Sequence, residues 1–210
     1  MIDDIRNTFI SLTAIDAPSL KERKMADAVR TLFHGIGVEL EEDDSSRVSG
    51  ADAGNLYGRL PGDGTDPLLL SAHLDTVMPA CGKKAVCHPD GRITSDGTTV
   101  LGADDLAGVT AIYEAVRSLK EQGGRHRTVE LLFTTGEELY GKGARAFDYS
   151  RIASKQALVP DLSGPIGEAA YAAPTILSFR VSVIGKSAHA GFCPEAGIHA
   201  VKAACEAIAA

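Results

Sequence analysis

Two short, almost uninterrupted apolar runs constrain this chain more than any other feature: Leu68-Leu69-Leu70-Ser71-Ala72, and the stretch from Thr128 to Thr134 that reads TVELLFT. Runs of this length bounded by turn residues fit strands covered on both faces, as in the interior of a parallel sheet. Between them Val109, Ile112, Val116 and Leu119 recur at helical spacing, which predicts a helix from Asp105 to Leu119 ended by Gly123-Gly124. The N-terminal part adds two more helical patterns. Ile2, Ile5, Phe9, Leu12 and Ile15 form a stripe that stops at Asp16-Ala17-Pro18. Ser19 and Glu22 then fit a capping box ahead of Met25, Val29, Leu32 and Phe33, with Gly35 as the stop. Short strands are expected near Val38, over Asn55 to Leu60 and over Ala157 to Pro160, and a helix begins within Gly141 to Phe147. Strands alternating with helices predict an α/β fold, a mostly parallel sheet flanked by helices.

The character changes near Ala172-Ala173-Pro174. From Thr175 to Lys186 polar and apolar residues alternate, as in a strand with one buried face, and Ala196 to Ala210 is alanine-rich and helical. Residues 1–174 are therefore expected to form one domain and 175–210 the beginning of a smaller α+β unit. About 35 residues are too few to close a core unaided.

Composition removes several function classes. Among 210 residues, 21 Lys and Arg face 28 Asp and Glu, a net charge of −7, and the bases are not gathered into a stripe. A nucleic-acid partner or an anionic membrane surface is not expected. The longest apolar stretches fall far short of the roughly 20 residues that a transmembrane helix requires. Asp3 and Asp4 occupy the place of the basic region of a secretory leader, so the chain reads as cytoplasmic. Cys81, Cys87, Cys193 and Cys205 read as reduced thiols, with Cys81, Cys87 and His88 left as an alternative small metal cluster.

Chemistry-bearing groups gather where strands end. His73 and Asp75 follow the first apolar run, at the carboxyl edge where open α/β sheets bind ligands. Residues two apart in extended chain face the same side, so Asp75 can fix the tautomer of His73, or the pair is a strand-end histidine and a loop aspartate. Asp104 and Asp105 open the central helix, either as a cation ligand plus a cap or as two acids favoured by the helix dipole. Glu137 and Glu138 follow the second run, where one carboxylate could bind a metal and its neighbour take a proton from water, or both could be solvated. Asp161 follows the strand at Ala157, in a turn that favours Asp for its own reasons. Together the groups are imidazole and carboxylate, a mixture suited to zinc, cobalt or manganese.

Five ordered motifs carry a resemblance along essentially the whole chain: His73-Leu74-Asp75-Thr76-Val77, Ser95-Asp96-Gly97-Thr98-Thr99, Gly102-Ala103-Asp104-Asp105-Leu106-Ala107-Gly108, Gly136-Glu137-Glu138, and Gly185-Lys186-Ser187-Ala188-His189-Ala190-Gly191. The sequence resembles the di-zinc exopeptidases of the aminoacylase, carboxypeptidase and tripeptidase superfamily, and among them the peptidase T-like branch. That resemblance implies two divalent metals, with His73 and Asp161 on one, Glu138 on the other and Asp104 bridging. It further implies Glu137 as general base, Asp75 as the orienting partner of His73, a cis peptide between Asp104 and Asp105, and His189 as an oxyanion group acting across a homodimer formed through the lid domain. Leu106 departs from the Lys that relatives often carry there.

The implied activity is hydrolysis of short peptides, tripeptides among them. An N-acyl-amino-acid deacylase, a carboxypeptidase or a non-catalytic binding homologue remain alternatives. A catalytic zinc takes about three protein ligands and a water. The second metal has only Asp104 and Glu138, and similar enzymes complete it with a histidine near the end of the chain. His34, His88, His126 and His199 do not match that context, so the sequence is expected to be an N-terminal portion of a longer enzyme.

Overall fold

The computed structural model describes residues 2–64 and 66–209. Two compact units divide the chain, Met1–Gly167 and Glu168–Ala210. In the first unit the elements run α1 (Ile2–Thr13), α2 (Arg23–Gly35), β1 (Leu40–Glu42), α3 (Ser46–Ser49), β2 (Leu56–Leu60), β3 (Leu68–His73), β4 (Ala85–Cys87), β5 (Ile93–Ser95), α4 (Ala103–Gln122), β6 (Val129–Thr134), α5 (Lys142–Ala146) and β7 (Ala157–Leu158). The main sheet has the order β1-β2-β6-β3-β7, and β4 pairs with β5 as a separate ribbon. β3 runs parallel to both β6 and β7, whereas β2 is antiparallel to β6 and to β1. The sheet is thus mixed, and its parallel half ends in His73 and Thr134.

Alternation along β6 divides the core between the two faces of the sheet. All six residues of β6 are buried. Leu131 and Phe133 join the large cluster formed by Leu12 of α1, Met25, Val29 and Phe33 of α2, and Leu106, Val109, Ile112 and Val116 of α4. Leu132 turns to the opposite side, against Leu69 and Phe147. The Phe133 ring lies 5.2 Å from that of Phe33, which meets Tyr113 edge-on at 5.5 Å. Such tilted and T-shaped contacts suit the ring quadrupoles.

Register decides where the strands end. Leu68 lies opposite Val129 and His73 opposite Thr134, so both strands finish at one edge. β7 is shorter than the expected Ala157–Pro160, pairing only Ala157 and Leu158 with Leu69 and Leu70. Pro160 has no amide hydrogen to continue the ladder, and the chain leaves the sheet toward Asp161.

Two local expectations need correction. α2 begins at Arg23, and neither Ser19 nor Glu22 caps it in the expected way: no side-chain cap is present. Both side chains are drawn to partners distant in sequence, Ser19 to Asp75 and Glu22 to Gly136. In the second unit the alternating segment from Thr175 to Gly185 forms no strand, because among the described residues it has no ladder partner; a single bridge joins Lys186 to Ile198. The helical part, α6 (Ala200–Ala209), starts later than expected because Pro194–Ala196 forms a 3-10 turn and Gly197 is extended. Among the described residues no helix is long and apolar enough to cross a membrane.

The packing of Phe133 gives a direct check. Phe133→Ala should lower the unfolding free energy by about 3–5 kcal/mol, read from denaturant melts, because it empties the centre of the larger core. A loss below about 1 kcal/mol would mean that the ring is not enclosed as described.

Candidate metal centre

His73 closes β3 with its side chain almost wholly buried. Its Nδ1 lies 2.9 Å from the backbone carbonyl of Asp75 and 3.4 Å from Asp75 Oδ1. Since a carbonyl only accepts, Nδ1 carries a hydrogen and Nε2 is left to face the site. There Nε2 is 2.9 Å from Asp104 Oδ1 and 3.9 Å from both Glu137 Oε2 and Asp161 Oδ2.

Asp75 does more than orient the ring. Its buried carboxylate accepts hydrogen bonds from Ser19 Oγ at 2.7 Å, from the Glu137 amide at 2.9 Å and from the Glu138 amide at 3.2 Å. Burial works against its charge, yet the bonds from His73, Ser19 and the Glu137 amide hold its pKa below the usual carboxylate value. One anion therefore fixes both the imidazole and the 3-10 turn Glu137–Leu139.

At the start of α4 the two aspartates divide their labour. The peptide between Asp104 and Asp105 is cis, as the resemblance implied. The Asp104 side chain is exposed toward His73, while Asp105 is buried and its Oδ1 accepts from the Gly108 amide at 3.1 Å. A Cβ at Gly108 would stand 2.2 Å from that oxygen, so this cap requires glycine. Burial pushes Asp105 up to about 7, with the charge of Asp161 adding to it.

The acids crowd one another. Burial raises Glu137, Glu138 and Asp161, and the negative charge of the neighbouring carboxylates raises each further. Two sets of ligand atoms each lie within 4.8 Å of one another: His73, Asp104 and Glu138, and His73, Glu137 and Asp161. An imidazole nitrogen among mutually repelling carboxylates fits a divalent cation, which would relieve the repulsion and accept these donors.

The fold thus brings His73, Asp75, Asp104, Glu137, Glu138 and Asp161 together. His189 belongs to the second unit, where its Nδ1 accepts from the amides of Gly191 and Phe192 at 3.1 and 3.2 Å and its ring lies 4.4 Å from that of Phe192. Cys81 and Cys87 are exposed, His88 Nε2 is engaged with Thr94 Oγ1, and among the described residues no metal-type grouping includes them. Sequence reasoning missed three supports. Ser19 and Glu22 have the spacing of a local cap, which gives no sign of their long-range partners. Buried Asn55 ties the Thr135 amide to the Gly143 carbonyl, a long-range role that no local pattern signals.

Residues 55–163 match the model of peptidase family M28. The chain belongs to that family. It is 40% identical over 201 residues to the uncharacterized protein YqjE of Bacillus subtilis (strain 168), covering 95% of this chain and 54% of that protein. It is 34% identical to a peptidase T of Listeria welshimeri, covering 98% of this chain and 59% of the relative. Among solved structures, the aminopeptidase PepT of Bacillus cereus superposes with a TM-score of 0.79 at 37% identity, covering 99% of this chain and 56% of that one. The similarity to peptidase T-like exopeptidases read from the motifs therefore holds, and the chain spans little more than half the length of these relatives.

The electrostatics set the pH dependence of cation binding. Burial opposes a charged His73, but hydrogen bonding to Asp75, the Asp75 charge and then Asp104 push its pKa up to about 10. Without metal the ring is therefore protonated at neutral pH, with both nitrogens facing acceptors. The stability this proton contributes is complete below the ordinary value of 6.5 and is lost as pH rises through about 10. A cation must displace the proton, so affinity should weaken as pH falls. Zinc titrations by calorimetry at pH 7, in two buffers of different ionisation enthalpy, should show release of about one proton or more per chain. No release would contradict this arrangement.

Proposed function

We propose that the protein is a metal-dependent aminopeptidase acting on short peptides, tripeptides among them. The observation that carries this reading is the convergence of His73 with Asp104, Glu137, Glu138 and Asp161 at the carboxyl edge of the parallel strands. Similarity to peptidase T and to the aminopeptidase PepT supports the choice of substrate class.

As the resemblance implies, His73 and Asp161 would hold one divalent metal, Glu138 the other, and Asp104 would serve both. Zinc is the first candidate, with cobalt and manganese suited to the same donors. Bound metals would supply Lewis-acid polarisation of the scissile carbonyl and a more acidic water.

Glu137 is the base. Its carboxylate is half exposed, 3.9 Å from His73 Nε2, and its pKa is raised by burial and by the acids around it, which suits an acid that must both accept and return a proton. It takes a proton from the attacking water as the oxygen bonds to the carbonyl carbon. It then delivers that proton to the departing amine nitrogen as the C–N bond breaks. Asp75 keeps Glu137 and His73 in fixed relation throughout. His189 of the partner subunit is assigned to the developing oxyanion, which makes the active form a homodimer. A catalytic zinc takes about three protein ligands, and the resemblance to similar enzymes assigns the remaining ligand of the second metal to a histidine near the end of the longer relatives' chains.

Glu137→Gln in the full-length protein should lower kcat on tripeptides by about 10²–10⁴-fold while zinc content stays unchanged. Retained turnover would remove Glu137 from the role of base. Loss of zinc together with activity would make it a ligand instead.

A further inference from the structure

We propose that Glu22 is a positioning residue of the metal centre: from the turn between α1 and α2, its buried carboxyl group holds the Gly136 amide and so fixes the turn that carries Glu137 and Glu138. This rests on the roles assigned above to those two acids. Glu22 is completely buried, a rare state for an acid without a basic partner. Its Oε1 accepts from the Leu20 amide at 2.8 Å and from the Gly136 amide at 2.9 Å, while Oε2 has no hydrogen-bond partner. Neither of the two candidate ligand sets includes it. Nor does its side chain cap α2.

What Glu22 grips is the entry to the catalytic turn. Gly136 has φ of +60°, and its carbonyl accepts from the Leu139 and Lys142 amides at 3.4 and 3.0 Å. With the Glu22 bond added, Gly136 is held at both its amide and its carbonyl. The fit is close: a Cβ on Gly136 would stand 3.3 Å from Leu20 Cδ2 and 3.4 Å from Lys142 Cβ. Leu20 itself has φ of +69°, an uncommon conformation for a residue with a side chain.

The same turn holds the other catalytic loop. Ser19 Oγ donates to Asp75, and the Ala17 carbonyl accepts from the Thr76 amide at 2.9 Å. Residues 17–22 thus brace His73 and Asp75 through Ser19, and Glu137 and Glu138 through Glu22. Burying a carboxyl group with one oxygen unpartnered is unfavourable, and burial pushes Glu22 up to about 7, with the Asp75 charge adding to the shift. An apolar side chain would fill the volume without that cost, but it could not hold the Gly136 amide. Precise placement of the acids is the property that such a residue protects.

The test compares Glu22→Leu, Glu22→Gln and Val29→Ala in the full-length protein. Leu fills the space and removes the acceptor, Gln keeps an acceptor oxygen, and Val29→Ala is a control that loosens the core of the adjoining helix α2. Glu22→Ala replaces the Leu variant should that one not fold. The readouts are Co²⁺ affinity with its visible absorption spectrum, and hydrogen exchange at the Gly136 amide in the metal-free protein.

The expected result is that removing the acceptor weakens Co²⁺ binding roughly 10–100-fold, alters the cobalt spectrum and exposes the Gly136 amide to exchange. Glu22→Gln and Val29→Ala should stay close to the parent in all three. Unchanged Co²⁺ affinity and Gly136 protection in the Leu or Ala variant would overturn the proposal. So would an equal loss in Val29→Ala, which would make the effect one of general stability. A parent protein that binds no Co²⁺ would instead overturn the metal-centre reading, and this proposal with it.

Discussion

The Asp75 carboxylate is enclosed by protein and accepts from Ser19 Oγ, the Glu137 amide and the Glu138 amide, while its own carbonyl faces His73 Nδ1. Four parts of the chain meet at this residue: the turn after α1, the end of β3, the 3-10 turn after β6 and, through His73, the start of α4. An anion buried without these donors would be costly, so the hydrogen bonds that keep it charged are also those that assemble the site. The interaction converts a local need, satisfying one buried carboxylate, into a global alignment.

The sheet makes that meeting possible. Parallel pairing of β3 with β6, in a register that sets His73 opposite Thr134, delivers two chain segments to one edge within reach of Asp75. Phe133, Leu131 and the helix residues packed on them hold that register from the larger core, and Leu132 with Phe147 holds it from the other side. Against this rigid edge, burial and mutual repulsion raise Glu137, Glu138 and Asp161 together. A divalent cation held by these groups would relieve that repulsion.

Much of this was legible in the residues themselves. The apolar runs at Leu68 and Val129 gave strands because their length and composition leave no other buried element, and the stripe of Val109, Ile112 and Val116 gave α4. The positions of the candidate ligands were legible because strand ends and a helix start are places that local pattern locates. The supports were not. Ser19 and Glu22 satisfy the spacing of a capping box, yet their partners, Asp75 and Gly136, lie far away in the sequence, and such long-range competition leaves no local trace. The alternating segment after Thr175 has the period of a strand, but period reports which side chains share a face and not whether a neighbour is there to pair.

The central claim is that these residues hold two cations about Asp104. Diffraction from crystals of the full-length protein grown with zinc, measured on both sides of the zinc absorption edge, tests it most directly. The account predicts two anomalous peaks about 3.5–4 Å apart, one against His73 and Asp161, the other against Glu138, with Asp104 touching both. A single peak, or peaks that leave Asp104 without a metal contact, would contradict it.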